Sequence, residues 1–128
     1  MKALSLGAVV AVVGMAVALV ASPAAIAKRG DVRVAGTCTK SSSSKLKLSE
    51  EDGRIEVEFE VDQNRNGVRW TVQLSQNGSR IARMTRVTRS PSGSFEARVV
   101  ASNTAGSDRF TARATSPSGE VCTARASF

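Results

Sequence analysis

The chain of 128 residues contains no histidine and no tyrosine, and its aromatic residues are four phenylalanines and one tryptophan. Histidine is the most common general base and the usual partner of a serine or cysteine nucleophile. Its absence excludes Ser-His-Asp and Cys-His catalytic arrangements. With only two cysteines, the chain also lacks the ligands of a tetrahedral zinc site. These absences exclude hydrolases that depend on a histidine base and tetrahedral zinc sites.

Two other catalytic arrangements can be drawn from the sequence. Three lysines between Lys40 and Lys47 flank a serine run, but Ser–Lys catalysis requires a desolvated lysine and this segment is polar. Glu56, Glu58 and Glu60 would project from one face of a strand about 7 Å apart, a usable spacing for glycoside hydrolysis. No aromatic platform accompanies them, which favours an exposed acidic stripe. We therefore predict no enzymatic activity, no cofactor and no metal.

The longest uncharged run lies at the N-terminus. A charged start of Met1 and Lys2 precedes an apolar stretch of alanine, valine and leucine that ends in small residues at Ala27. This order is typical of a secretory signal peptide over residues 1–27, cleaved after Ala27. The run is also long enough to span a bilayer, so an uncleaved N-terminal membrane anchor is the alternative. We expect a secreted or cell-envelope-associated domain over residues 28–128, with no membrane insertion after cleavage.

The two cysteines, Cys38 and Cys122, lie near opposite ends of the predicted mature chain. An even pair in an exported protein normally forms a disulfide, and two free thiols are the alternative. Closing so long a loop would stabilise the fold by about 4 to 5 kcal/mol in the chain-entropy model. For one small domain that is a large share of the total stability.

Apolar and polar residues alternate with period two from Val32 to the C-terminus, and turn residues interrupt the pattern at regular intervals. We predict eight strands, at residues 32–39, 45–49, 54–62, 68–75, 79–89, 95–101, 110–114 and 122–128. Asn66-Gly67 and Asn77-Gly78 are pairs that favour tight hairpin turns. The pattern predicts a single all-β domain, an antiparallel sandwich of seven or eight strands in which the disulfide fastens the first strand to the last.

Three weaker features complete the predicted strand map. Segment 79–89 has a mixed pattern, which indicates an edge strand. The serine run 41–44 fits a loop or a bulged edge. Ser90-Pro91-Ser92-Gly93 and Ser116-Pro117-Ser118-Gly119 repeat one motif, and two turns of the same kind are favoured over a duplicated ligand loop.

Several motifs follow one another in a distinctive order: Gly36-x-Cys38, Asp52-Gly53-Arg54 before a glutamate-alternating strand, Val68-Arg69-Trp70, and a cysteine in the final strand. In this order the chain resembles a group of small exported actinobacterial proteins that have no assigned biochemical activity. The resemblance implies export and a β-sandwich, and it supplies no catalytic residues. The sandwich is expected to be immunoglobulin-like in architecture only, because the cysteines lie in terminal strands and a tyrosine corner is absent.

Charge is the remaining functional signal, because the formal net charge is +7. Acidic residues concentrate between residues 46 and 62, and arginines between residues 69 and 113. Arginine suits bidentate contacts with phosphate or carboxylate groups. The candidate anion-binding set comprises Arg80, Arg83, Arg86 and Arg89, which recur every three residues. On a regular strand these four side chains would alternate between the two faces.

We predict an exported, non-enzymatic binding or adhesion module that contacts an anionic cell-envelope polymer or a protein partner. Nucleic acid is the least favoured partner, because the sequence offers no evident exposed aromatic stacking platform. Two alternatives are a secreted inhibitor of a protease or other hydrolase, presenting a loop such as residues 90–94, and a purely structural surface domain. In a purely structural domain the glutamate stripe would pair across strands with the arginines.

Overall fold

A computed structural model of the chain describes residues 30–128 and, before them, only Gly7 and Gly14. The predicted signal peptide, residues 1–27, otherwise lies outside the described residues. The described chain consists of strands, turns and loops, and no helix in it could cross a membrane. The strands are β1 (Val32–Ala35), β2 (Thr37–Cys38), β3 (Ser43–Glu51), β4 (Arg54–Asp62), β5 (Arg69–Gln76), β6 (Ser79–Val87), β7 (Ser94–Ala101), β8 (Arg109–Thr115) and β9 (Val121–Ser127).

Two antiparallel sheets make up the domain, one ordered β1-β3-β4-β7 and the other β2-β9-β8-β5-β6. Period-two alternation gives each strand one apolar face, and the two apolar faces pack together as a sandwich-like pair of layers. Trp70 of β5 is fully buried between them, with its ring centroid 5.8 Å from that of Phe95 in the opposite sheet. Its Nε1 donates to Oε1 of Gln63 at 3.1 Å. The predicted all-β fold and the edge position of segment 79–89, now β6, are confirmed.

The predicted first strand, residues 32–39, is divided between the two sheets at Gly36. β1 pairs with β3, whereas β2 pairs with β9. The Gly36 N–H donates to the Ser44 carbonyl at 2.8 Å. A Cβ at this position would overlap Ser44 Oγ and lie 2.8 Å from the Thr123 carbonyl oxygen. Only glycine lets the chain cross this closely between the sheets, and the division raises the strand count from eight to nine.

The predicted disulfide between Cys38 and Cys122 is confirmed. The two residues are direct cross-strand neighbours in the β2–β9 pair, with Cα atoms 4.0 Å apart and a sequence separation of 84. The bond therefore joins the first strand to the last within one sheet. Because β2 has only two residues, the disulfide holds an edge strand that few backbone hydrogen bonds could hold alone.

Two buried carboxylates fasten the ends of the β8–β9 hairpin. Glu120 accepts hydrogen bonds at Oε2 from the backbone N–H groups of Lys40 and Ser42, at 3.0 and 3.1 Å. At the other end, Asp108 accepts a hydrogen bond at Oδ1 from Nδ2 of Asn77 at 2.9 Å. A buried carboxylate requires such partners, so both side chains tie neighbouring loops to this hairpin.

Turn and boundary predictions were correct only in part. Asn77-Gly78 forms the predicted hairpin between β5 and β6, with φ values of 50° and 84°. Asn66-Gly67 is not a hairpin, because β4 and β5 lie in different sheets. The β3–β4 hairpin turns instead at Asp52-Gly53, with φ values of 48° and 77°. The serine run was wrongly placed in a loop or bulged edge as a whole, since Ser43 and Ser44 belong to β3.

Replacing Gly36 with alanine should lower the free energy of unfolding by about 1 to 3 kcal/mol, because overpacking of a closely packed site has this cost. Denaturant unfolding followed by the fluorescence of Trp70 measures the loss. A Gly36→Ala/Ser44→Ala variant should recover only part of it, since the Thr123 carbonyl stays in place. An unchanged unfolding midpoint in Gly36→Ala would contradict the close approach.

Candidate anion-binding face

The charged residues of the strands divide unequally between the two sheets. The four-stranded sheet carries both signs: bases Arg33, Lys45, Lys47, Arg54 and Arg98, and acids Glu50, Glu51, Glu56, Glu58, Glu60, Asp62 and Glu96. The charged strand residues of the five-stranded sheet are all arginines: Arg69, Arg80, Arg83, Arg86, Arg109, Arg113 and Arg125. One sheet therefore has mixed charge, and the other is purely positive.

Strand register places most of these arginines on one surface. Paired positions of antiparallel strands share a face, and Gln73 pairs with both Arg83 and Arg113. Ala112 and Ala114, on either side of Arg113, are fully buried, so Arg113 points away from the core. The same reasoning extends to the other strands. We define the basic face as the outer surface of the five-stranded sheet that carries Arg69, Arg80, Arg83, Arg109, Arg113 and Arg125.

Two grooves cross the basic face, and each is lined by a pair of arginines together with hydroxyl side chains. We call the first, about 390 Å³ in volume, the central groove. The central groove is lined by Thr71, Gln73, Arg83, Arg113 and Thr115. We call the second, about 570 Å³ in volume, the terminal groove. The terminal groove is lined by Gly78, Arg109, Phe110, Thr111, Arg125, Ala126 and Ser127.

The four arginines predicted as an anion site are not brought together. A β-bulge between Leu74 and Ser75 shifts the register, so that Arg80 pairs with Ser75 while Arg83 pairs with Gln73. The bulge absorbs one residue, and Arg80 and Arg83 therefore share the basic face although their spacing predicts opposite faces.

The other two predicted members lie elsewhere. Arg86 pairs with the buried Trp70, on the core side of the edge strand, and its Nε donates to the Glu96 carbonyl at 3.3 Å. Arg89 follows β6 and forms an isolated bridge with Ser94. Both residues thus help to close the β6–β7 edge of the domain, away from the basic face.

Four members of the basic face were absent from the predicted set: Arg69, Arg109, Arg113 and Arg125. They come from β5, β8 and β9, whose neighbourhood in the sheet is not visible in sequence spacing. A local signal does exist in Ala112-Arg113-Ala114 and Ala124-Arg125-Ala126. At period two, small apolar residues face the core and the arginine between them faces solvent.

The glutamate stripe of β4 is neutralised within its own sheet. Lys45 Nζ lies 3.5 Å from Oε1 of Glu60, and Lys47 Nζ lies 3.8 Å from Oε2 of Glu58. Within the part of the chain that the structure describes, no arginine of the basic face forms an ion pair. Pairing of the stripe with an arginine, expected of a purely structural surface, is observed between Glu56 and Arg98, but among the described residues none of Arg80, Arg83, Arg86 and Arg89 pairs with the stripe.

Arg98 lies in the acidic cluster of the four-stranded sheet, which consists of Glu51, Glu56 and Glu58, and its contacts affect the pKa values there. Its Nη2 lies 2.7 Å from carboxylate oxygens of both Glu51 and Glu56. The hydrogen bond from Arg98 holds the pKa of Glu56 far below its ordinary value. Hydrogen bonds shared with Glu56 raise the pKa of Glu51 and of Glu58. The contact with Glu56 likewise raises the pKa of the Arg98 guanidinium.

On the acidic side of the molecule, carboxylates lie beside lysines. Glu58 and Glu60 border a groove of about 260 Å³ together with Lys45 and Lys47, so each carboxylate lies beside an ammonium group. Glycoside hydrolysis needs one protonated carboxyl in an apolar setting, and no aromatic residue lines this groove. Among the described residues, no cluster of three or more cysteine, aspartate or glutamate side chains could hold a metal ion.

Comparison of the chain with protein-family models, curated proteins and solved structures finds no match. Function must therefore be inferred from the chemistry of this molecule. Guanidinium groups donate paired N–H groups to phosphate, sulfate or carboxylate oxygens, and threonine hydroxyls add single donors. Tryptophan and the four phenylalanines are all buried. The basic face can bind anions but has no aromatic platform on which bases could stack.

Replacing Arg98 with glutamine should raise the pKa of Glu56 toward the ordinary value, as measured by NMR titration of its carboxyl carbon. In the wild type the folded-state pKa lies below the unfolded one, about 4.3. The stabilisation is therefore complete above that pH and is lost as the pH falls toward the folded value. The stability difference between wild type and Arg98→Gln should be largest at neutral pH and shrink below about pH 4.

Arg54→Gln is the matched control for this prediction, because Arg54 lies in the same sheet and its Nη2 donates to a backbone carbonyl, that of Val100, at 3.4 Å. The control should leave the Glu56 titration unchanged. A stability difference between wild type and Arg98→Gln that stays constant from acidic to neutral pH would contradict the assignment.

Proposed function

We propose that the chain is an exported, non-enzymatic binding or adhesion module that contacts an anionic cell-envelope polymer through the basic face. One observation carries the proposal: the charged strand residues of the five-stranded sheet are all arginines, and six of the seven belong to its outer surface. A surface of one sign attracts polyanions over about 10 Å at 0.1 M salt. In the opposite sheet three bases of the strands pair with the glutamate stripe of β4, whereas among the described residues no arginine of the basic face forms an ion pair.

Export and architecture belong to the same proposal. The charged start and apolar run of residues 1–27 have the order of a signal peptide, and a disulfide suits an oxidising compartment. We infer an immunoglobulin-like arrangement of layers, supported by a first strand shared between sheets and by the central Trp70. In an immunoglobulin domain the second and third strands lie in different sheets. Here β1 and β2 together form the first strand, and the next two, β3 and β4, form a hairpin within one sheet. The likeness is therefore restricted to the layers.

The inhibitor alternative depends on the loop at residues 90–94. The Gly93 N–H donates to the Arg89 carbonyl at 2.8 Å, and the Arg89 N–H donates to the Ser94 carbonyl at 2.9 Å. Gly93 also packs so closely on the backbone of Asn64 and Arg65 that a Cβ there would overlap it. The loop is thus a compact turn, unlike the extended segments that pair with a partner's strand edge. We therefore rank the basic face above this loop.

The direct test is retention of the purified protein on immobilised poly(glycerol phosphate), with neutral dextran as the comparison matrix. We expect retention on the anionic matrix at low salt and its steep loss as salt rises, because charge-driven contacts are screened. Neutral dextran should retain nothing under either condition. Absence of retention on both matrices would remove the charge argument and leave a protein partner, an inhibitor or a structural role.

Paired variants locate the binding surface. Arg83→Ser/Arg113→Ser should lower the affinity for poly(glycerol phosphate) by up to about 30-fold, since each exposed ion pair contributes up to about 1 kcal/mol. Arg33→Ser/Arg54→Ser removes the same charge from the opposite sheet and should have a much smaller effect. Equal losses from the two double variants would mean that net charge alone drives binding.

The residues at 80–89 provide an internal comparison. Arg80→Ser and Arg83→Ser should each weaken retention, because both side chains belong to the basic face. Arg86→Ser should leave retention near the wild-type value, since that side chain donates to Glu96 across the domain edge. A larger effect from Arg86→Ser than from Arg83→Ser would place the binding surface at the β6–β7 edge instead.

A further inference from the structure

We propose that the ligand of the basic face is a linear polyol phosphate polymer whose phosphodiester groups occupy the central and terminal grooves at the same time. This inference rests on the proposed function above and adds to it a ligand chemistry and a minimum ligand length. Four observations support it. The basic face carries arginines rather than lysines, and each groove contains a pair of arginines with hydroxyl groups. The two grooves lie apart from each other, and the aromatic side chains are buried.

The basic face uses guanidinium groups only. The lysines among the described residues are Lys40, Lys45 and Lys47, and none belongs to the five-stranded sheet. An ammonium group is a point charge, whereas a guanidinium presents paired donors that match two oxygens of one anion. A phosphodiester carries two terminal oxygens, so it fits this donor geometry.

The central groove is built to contact one anion from two sides. Arg113 of β8 and Arg83 of β6 are separated by a single strand, β5, which contributes Gln73 between them and Thr71 beside them. Strand spacing puts the two arginine backbones about 10 Å apart, a gap that two long side chains can bridge around one ligand group. The two terminal oxygens of a phosphodiester diverge from a tetrahedral phosphorus, so one oxygen can accept from each wall.

The terminal groove contains a second pair of arginines farther along β8, in this case on two adjacent strands. Arg109 of β8 and Arg125 of β9 are both exposed and line it with the hydroxyl groups of Thr111 and Ser127. Arg109 and Arg113 lie four residues apart on β8, which corresponds to about 13 Å along the strand. A single phosphate group can therefore fill only one groove, and a ligand that fills both must be a chain of several repeats.

The face also discriminates between phosphodiester chains. Single-stranded nucleic acids gain much of their affinity from bases stacked on aromatic side chains. The aromatic residues are buried, and Phe110, which borders the terminal groove, is only 1% exposed. Besides the arginines, the polar side chains of the two grooves are short hydroxyls and one amide. A polyol phosphate without bases needs only charge and hydroxyl contacts, which are what this face provides.

The test is a calorimetric titration of the purified protein with glycerol phosphate, with short oligomers and with long poly(glycerol phosphate) at one fixed salt concentration. Glycerol phosphate should bind weakly at two independent sites. Once the oligomer reaches both grooves, the second contact becomes intramolecular, and the affinity should rise by about 10²- to 10⁴-fold. Oligothymidylate and polygalacturonate of matched charge should each bind at least about tenfold more weakly than poly(glycerol phosphate).

Variants separate the two grooves. Arg83→Gln/Arg113→Gln and Arg109→Gln/Arg125→Gln should each reduce the glycerol phosphate stoichiometry from two to one, and each should abolish the gain in affinity with chain length. Arg33→Gln/Arg54→Gln, on the opposite sheet, should change neither quantity. Trp70 fluorescence verifies that every variant is folded.

The outcomes distinguish this inference from the proposed function. A long polymer that binds no more tightly than glycerol phosphate would overturn the two-groove inference while leaving an anion-binding face. Equal binding of oligothymidylate or polygalacturonate would overturn the assignment to a polyol phosphate. Failure of all three polymers to bind would overturn the proposed function itself.

Discussion

The register of the β8–β9 hairpin is the constraint on which both the core and the basic face depend. Ala112 pairs with Ala124, and Arg113 pairs with Thr123. Because side chains alternate between faces, a slip of one residue would turn alanines toward solvent and arginines into the core. Burying an unpaired guanidinium has a prohibitive free-energy cost. The apolar interior and the positive outer surface are therefore two consequences of one backbone arrangement.

Several groups fix that register from outside the hairpin. At one end the buried Glu120 accepts N–H hydrogen bonds from the β2–β3 loop, and at the other the buried Asp108 accepts a hydrogen bond from the β5–β6 turn. Between them, the Cys38–Cys122 disulfide attaches the first strand. Gly36 lets that strand cross from one sheet to the other. The consequence is an uneven division of charge: on the four-stranded sheet the glutamate stripe pairs with lysines and an arginine, whereas the charged strand residues of the five-stranded sheet are all arginines.

The order of residues within a short segment was enough to predict the features that depend on that segment alone. Segment 54–62 alternates so clearly that its predicted bounds coincide with β4, and two cysteines in a chain with signal-peptide features sufficed for the disulfide. The rest depends on non-local packing. The bulge opposite Ser75, which brings Arg80 and Arg83 to one face, follows from strand pairing and leaves no mark in residue spacing. Likewise, Arg125 joins the face only because β9 lies beside β8, and the division at Gly36 reflects contacts with Ser44 and Thr123 that are distant in sequence.

The central claim is that one outer surface of the domain binds an anionic polymer and the opposite surface does not. The most direct measurement is an NMR titration with poly(glycerol phosphate) that follows the Nε–Hε signal of each arginine. We expect the Nε–Hε signals of Arg83, Arg109, Arg113 and Arg125 to shift in a saturable manner, while those of Arg33 and Arg54 stay in place. Uniform shifts over all arginines, or shifts confined to the four-stranded sheet, would contradict the claim.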